Sequence, residues 1–386
     1  MKVALIHDWL TGMRGGEKCL EIFCDLFPDA TIMTLLHLKG TVSPKIEQMD
    51  IRTTFIQKMP WLHRRYRHYL PLFPIAIEQF DMCGYDLILS SSHCVAKGVI
   101  PHPATLHICY CHTPMRYVWS MYQEYFGPQR VKGLKGKFIA IACHYLRMWD
   151  ILSNQRVHHF IANSNHVKKR IEHYYHRKAD VIFPPVDTAG TELSTRDEGY
   201  YLVVSALVPY KRIDLAVRAF NQLNEKLIVI GQGSEEKSLK KIAGKNIEFL
   251  GWLGEDELKR YYAECRALIF PGEEDFGIVP VEVQAFGKPV IAYGKGGLLE
   301  TVKGKWMRQD EPSNEEEFTG LFFEQQTVDD LIRAVNAFDN LKFDPSKIRA
   351  HALAFDKEIF KEKIRSSVQS KLEDFHTSPQ KRGNTP

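Results

Sequence analysis

Short apolar runs that end in small or polar residues recur along this chain, with segments of helical character between them. That alternation restricts the fold to the α/β class. The first run, Lys2–His7, leads through Thr11-Gly12-Met13-Arg14-Gly15-Gly16 into a helical stretch over Glu17–Leu26, the opening of a βαβ unit. Tyr85–Leu89, Leu106–Tyr110, His159–Ala162 and Ala179–Phe183 read as further buried strands. The stretch from Pro184-Pro185 to Gly199 reads as a linker. A second series follows: strands at Tyr201–Ala206, Lys226–Ile230, Ile247–Leu250, Ala267–Phe270 and Pro289–Ala292, with a helix over Ile213–Leu223 after the first of them. A chain of 386 residues has room for two domains. The expected architecture is two Rossmann-like, doubly wound domains, 1–188 and 196–356, facing each other across a cleft. The tail, about 357–375, has helical periodicity and is a candidate to pack back on the first domain. From His376 onward the chain is expected to be disordered.

With 44% hydrophobic and 25% charged residues the composition is globular, and no run approaches the ~20 apolar residues that span a bilayer. The N-terminus lacks the apolar core and small-residue cleavage site of a signal peptide. Eight cysteines are scattered, and only Cys109 and Cys111 are close. No second pair stands at ligand spacing, so zinc is not expected, and reduced cytoplasmic thiols are. The net charge of +4 is modest, but cations and aromatics interleave in Lys58–Leu70, and a second basic stretch covers Arg130–Phe138. Both suit an anionic membrane surface or an acidic partner, and equally a solvated basic face. No nucleic-acid reader motif accompanies them, so no nucleic-acid partner is expected.

The chemistry concentrates in Pro271–Glu282. The apolar run before it is a strand, and Glu274 stands on the loop at its carboxyl end, where open α/β sheets bind ligands. Pro280 suits the first position of a helix. Glu282 would then lie in the first turn, and the amides at Gly277 and Ile278 would suit an anion. The bland alternative is an acidic loop capping a helix. Lys211 and Arg212, after the second series' first strand, offer two cations for a diphosphate. Gly15-Gly16 permits close backbone approach, without the dinucleotide Gly-x-Gly-x-x-Gly spacing. His112 follows a strand, and Gly296-Gly297 turns from a strand into a helix. No Asp-x-Asp pair occurs, so a carboxylate-held divalent metal is not expected.

Together these segments resemble the family 4 (group 1) retaining glycosyltransferases of GT-B fold. The motifs are Glu274-x-Phe276-Gly277-Ile278 through Glu282, Gly287-x-Pro289-Val290-Ile291-Ala292, Gly296-Gly297-x-x-Glu300 and His112-Thr113-Pro114. The resemblance implies that Glu274 holds hydroxyls of the donor sugar and Glu282 the nucleotide ribose. The backbone over Phe276, Gly277, Ile278 and Val279 would meet the sugar and diphosphate. Lys211 would bind the diphosphate as it leaves, Gly15 and Gly16 would lie near it, and His112 would contact the transferred sugar. One position departs: many members carry an arginine five residues before the lysine, where this chain has Ala206. Arg212 is a substitute at a different position.

The expected activity is retaining transfer of a sugar from a nucleotide diphosphate sugar, with GDP-mannose favoured, to a saccharide or lipid-linked saccharide in surface-polysaccharide synthesis. No cofactor beyond the donor substrate is expected. The rival readings are a UDP-sugar donor, a GT-B sugar-nucleotide epimerase and a non-catalytic sugar-nucleotide binding protein. The expected location is the cytoplasm, peripheral on the inner face of the plasma membrane.

Overall fold

The computed structural model describes residues 1–127, 131–307 and 317–377. Arg130 of the second basic stretch and the tail from 378 lie outside the described residues. The chain divides into two compact units, Met1–Pro185 with Glu358–Pro386, and Val186–Lys357.

The first unit holds β1 (Val3–His7), β2 (Thr31–Thr34), β3 (Asp50–Thr53), β4 (Leu87–Ser92), β5 (Leu106–Cys111), β6 (His159–Ala162) and β7 (Ala179–Val181). They pair in parallel in the order β3-β2-β1-β4-β5-β6-β7. Successive residues of a strand point to opposite faces, so a sheet covered on both sides needs continuous apolar strands. In β1, Ala4 and Ile6 enter one core and Val3 and Leu5 the other. Helix Gly15–Leu26 starts two residues earlier than expected, because Glu17 turns back to the Arg14 amide (3.1 Å) and closes the first turn there. The C-terminal helix Lys357–Thr377 lays Phe360, Ile364 and Val368 into the second of these cores, one turn apart on one face. Phe360 stacks on Phe23 at 5.9 Å and meets Tyr110 edge-on at 5.5 Å.

The second unit repeats the plan with β8 (Tyr200–Val204), β9 (Lys226–Ile230), β10 (Ile247–Gly251), β11 (Ala267–Phe270), β12 (Val290–Tyr293), β13 (Gly304–Trp306) and β14 (Gly320–Phe323). The parallel order is β10-β9-β8-β11-β12-β14-β13. Tyr201 and Val203 face one core, Tyr200 and Leu202 the other. Helices Ile213–Leu223 and Val328–Phe338 cover one face through Phe220, Leu331 and Val335.

In each sheet the strand order reverses once near the middle, between β1 and β4 and between β8 and β11. Connections leave in opposite directions there, which opens a crevice at the carboxyl ends of the strands. The residues after these four strands are therefore the ones to examine.

Candidate functional site

In the second unit, β8 and β11 end side by side. Gly272, just after β11, lies against the backbone of Lys211: a Cβ there would meet the Lys211 carbonyl oxygen at 2.9 Å and its Cα at 3.1 Å. Only glycine lets the two loops close. That closeness pairs the Lys211 ammonium with the Glu274 carboxylate, both largely shielded from water. Lys211, Ser205, Phe270 and Gly272 line a small pocket at these strand ends.

Glu274 is held by its backbone as well. It bridges to Gly296, and its carbonyl accepts from the Gly297 amide at 2.8 Å. Gly296 sits at φ +70°, and a Cβ there would run into the Glu274 carbonyl. Gly297 is equally closed in, by the Asp275 carbonyl and the Phe276 Cα. Phe276 is buried, edge-on to Phe355 at 5.6 Å, and its carbonyl accepts from Thr301 Oγ1 at 3.3 Å. The Gly-Gly turn after β12 and the acidic loop after β11 are thus one structure.

The helix that follows corrects the sequence reading. It runs Ile278–Gln284, with Gly277 at φ +98° as its N-cap. Glycine's access to positive φ turns the chain into the helix two residues before the expected start. Pro280 is therefore the third helical residue, still within the turn whose N–H groups need no helical partner. Glu282 consequently lies in the second turn, not the first, and the helix-dipole argument for it does not apply. Instead its Oε2 accepts from the Tyr262 hydroxyl at 3.0 Å. Burial, with Glu282 alongside, pushes the Tyr262 phenol well above its ordinary range, so it stays a donor. Ile278 and Val279 are half-buried on the first turn.

Arg212 is turned elsewhere. It sits in the left-handed region at φ +55°, with Nε 3.3 Å from Asp214 Oδ1 and Nη1 3.4 Å from Gln326 Oε1. The structure brings Lys211, Glu274, Gly296 and Gly297 together but leaves Arg212 outside that group. Ala206 is exposed at the end of β8.

In the first unit, the ends of β1, β4 and β5 assemble a polar cluster. Parallel register sets His7 beside Ser91, and His7 Nδ1 lies 3.1 Å from Ser91 Oγ. Ser91 Oγ also lies 2.8 Å from His112 Nε2, and His7 Nε2 is 3.7 Å from Glu17 Oε1. A Cβ on Gly16 would stand 3.4 Å from His7 Cε1 and 3.6 Å from His112 Nε2, so Gly16 packs directly against both rings. Gly15 opens the helix that carries Glu17.

Burial, reinforced by His93 and His7, pushes His112 down to about 3, so it is neutral near pH 7. Glu17 is held low: burial opposes its charge, and the neighbouring His7 outweighs burial.

Asp8 organises the floor of this cluster. Its Oδ2 accepts from the amides of His93 (2.7 Å) and Cys94 (2.9 Å), its Oδ1 from those of Val95 (2.6 Å) and Ala96 (2.7 Å). His93 Nδ1 is 2.9 Å away. Burial favours the neutral acid, but the His93 charge and hydrogen bonds prevail and hold the carboxyl far below its ordinary range.

Other polar strand tips are structural. Ser164 caps helix Asn165–Tyr175 through the Val167 amide, and Ser90 pairs with buried His107. Cys109 and Cys111 are buried thiols in β5. Among the described residues no group of three or more His, Cys, Asp or Glu side chains is placed to hold a metal ion.

The sequence reading assigned no role to His7, Asp8, Glu17, Ser91 or His93. Ser91 and His93 stand at the end of β4, and their partners lie about eighty positions away in the chain and meet them only through the β1–β4 pairing.

Two doubly wound units, each with polar groups at its strand-order reversal, are the architecture of the GT-B fold. Residues 188–352, a little under half of the chain, match the family described as Glycosyl transferases group 1. The alpha-1,3/1,6-mannosyltransferase ALG2 of Saccharomyces cerevisiae is 28% identical over 301 residues, 61% of this chain and 56% of its own length. A GDP-mannose-dependent monoacylated alpha-(1-6)-phosphatidylinositol monomannoside mannosyltransferase of Corynebacterium glutamicum is 32% identical over 145 residues, 33% of this chain and 38% of the relative. The chain spans between about a quarter and just over half of the length of the curated relatives it matches. Among solved structures, Anabaena HepE in complex with UDP-glucose superposes with a TM-score of 0.68 at 18% identity, covering 96% of this chain and 100% of that one.

Proposed function

We propose that this protein is a retaining glycosyltransferase that moves a hexosyl group, mannose in the favoured reading, from a nucleoside diphosphate sugar to a saccharide or lipid-linked saccharide. The observation that carries the reading is the Lys211–Glu274 ion pair at the β8–β11 reversal, fixed by Gly272, Gly296 and Gly297 inside the part of the chain that matches group 1. Glu274 is an acceptor for sugar hydroxyls. Lys211 supplies positive charge where the diphosphate gains negative charge on departure. Glu282, oriented by Tyr262, takes the ribose hydroxyls. His112, neutral and aligned by Ser91, contacts the transferred sugar. The anomeric carbon–oxygen bond to the diphosphate breaks, the acceptor hydroxyl oxygen bonds that carbon on the same face, and the departing diphosphate oxygen takes the hydroxyl's proton. The protein contributes position and electrostatics. No metal is assigned a part in this reading.

Mannose is favoured by the two mannosyltransferase relatives, and GDP-mannose by the Corynebacterium glutamicum one, whose name carries that donor. HepE with UDP-glucose supports the rival donor by fold alone. A thermal-shift panel of GDP- and UDP-sugars decides between them, because a ligand bound only to the folded state raises the melting temperature. Stabilisation by GDP-mannose and not by UDP-sugars is expected; stabilisation by a UDP-sugar alone removes the mannosyl assignment. A non-catalytic binder is the second reading, favoured by Ala206 where an arginine is expected. It predicts donor binding without turnover across an acceptor panel.

The same reading includes peripheral contact with the inner face of a membrane. Lys58–Leu70 supports it: Trp61 is 71% exposed, with the Arg65 guanidinium 5.5 Å from its ring. Among the described residues no helix is long and apolar enough to cross a membrane.

A further inference from the structure

Helix Gly133–Ser153 is apolar on two opposite sides. Cys143, Leu146 and Trp149 point into the core of the first unit. On the far side, Leu134 (76% exposed), Phe138 (72%), Ile141 (68%), Met148 (49%) and Leu152 (68%) face outward. Their spacing of four, three, seven and four residues keeps them in one stripe along the helix. Single exposed apolar residues are ordinary, but a continuous row of this length on a soluble face marks a surface that something covers.

The charges beside the stripe say what. Lys132, Lys135 and Lys137 cluster at its start, all exposed, and His144 is exposed further along. The helix carries one carboxylate, Asp150, and that one is buried against Lys97 at 2.9 Å. An apolar stripe edged by lysines, with no exposed carboxylate on the helix, complements a surface that is apolar within and anionic at its face.

We propose that helix Gly133–Ser153 docks this protein on an anionic lipid bilayer, lying in the plane of the interface. Leu134, Phe138, Ile141, Met148 and Leu152 enter the headgroup–acyl boundary, and Lys132, Lys135 and Lys137 meet the phosphates. This rests on, and gives residues to, the peripheral contact proposed above. It extends that contact well past the basic stretch visible in the sequence.

The test is co-sedimentation of the full chain with vesicles of phosphatidylglycerol and phosphatidylcholine, against phosphatidylcholine alone. The unsubstituted chain is expected to bind the anionic vesicles only. Replacing Leu134, Phe138 and Ile141 together by serine is expected to weaken binding at least ~10-fold, since each removes buried apolar area. Lys132→Gln, Lys135→Gln and Lys137→Gln together should weaken it similarly and flatten its salt dependence. Matching melting temperatures confirm that the variants fold. Full binding by the serine variant overturns the proposal, as does failure of the unsubstituted chain to bind. A concentration-dependent dimer that the serine variant abolishes, without vesicle binding, assigns the stripe to a second copy and also overturns it. Sugar transfer to a soluble acceptor, measured on the same variants, is expected to persist. Its absence in every variant counts against the transfer reading and leaves the docking result standing.

Discussion

Lys211 and Glu274 form an ion pair between the loops that follow β8 and β11, and each is largely shielded from solvent. Because the two charges are paired, the side chains act as a unit. Lys211→Ala and Glu274→Ala are each expected to cost ~10²–10³ in kcat/KM, the range for losing one charged contact to a developing charge. The double variant should lose clearly less than the product of the two, because the second removal finds its partner already gone. Strictly multiplicative losses, measured in steady-state transfer assays, contradict a shared role.

Asp8 stands apart from that chemistry and is expected to govern stability. Its carboxylate accepts four backbone amides, from His93 to Ala96, in a buried site. Asp8→Asn replaces an acceptor with a donor that faces those amides. The expected loss is about 3 kcal/mol or more in urea unfolding, as for a buried group deprived of charge-assisted bonds. A loss below ~1 kcal/mol contradicts the assigned role.

The buried histidines set an acid limit. Burial holds His107 down to about 3, and His112 to about 3 with its histidine neighbours. Unfolded, each titrates near its ordinary value of about 6.5, so below that pH the unfolded chain binds protons that the folded one refuses. Stability must therefore fall as pH drops from about 6.5 toward 3, by up to ~1.4 kcal/mol per pH unit for each histidine. Asp8 and Glu17, held low when folded, contribute stability above their ordinary carboxylate range and lose it only at more acid pH. His107→Gln is expected to flatten the upper part of the fall in urea titrations. A stability that stays level from about pH 7 to 5 contradicts this.

Gly296 combines a positive φ with a closed site. Gly296→Ala drives a Cβ into the Glu274 carbonyl at φ +70°. Strain of ~1–3 kcal/mol is expected from the backbone alone. It should appear both as a lower melting temperature and as weaker donor binding, since the displaced carbonyl belongs to Glu274. A variant that melts lower but binds donor normally separates the turn from the site.

Much of this was legible because the apolar strands announce themselves. His159–Ala162, Lys226–Ile230 and Ala267–Phe270 fall where their apolar runs end, and helix Ile213–Leu223 where its periodicity does. Thr31–Thr34, Asp50–Thr53, Gly304–Trp306 and Gly320–Phe323 did not, because threonine, charge or glycine interrupts their few apolar residues. Too few side chains remain there to display a period. The loop from Pro271 to Glu282 was readable as strand, loop and helix, but the start of the helix was not. Pro280 signalled it, whereas the backbone freedom of Gly277 decided it. The His7–Ser91–His112 cluster was invisible for a different reason. Its contacts follow from sheet register, and no local pattern in a single chain encodes which strand will lie beside which.

The central claim is sugar transfer dependent on Lys211 and Glu274. The most direct test incubates the full chain with GDP-mannose or a UDP-sugar and a panel of saccharide and polyprenyl-linked acceptors, following glycosylated product by mass spectrometry. The account predicts product with the unsubstituted chain and a loss of ~10²-fold or more in Lys211→Ala and Glu274→Ala. Undiminished transfer by both variants contradicts it.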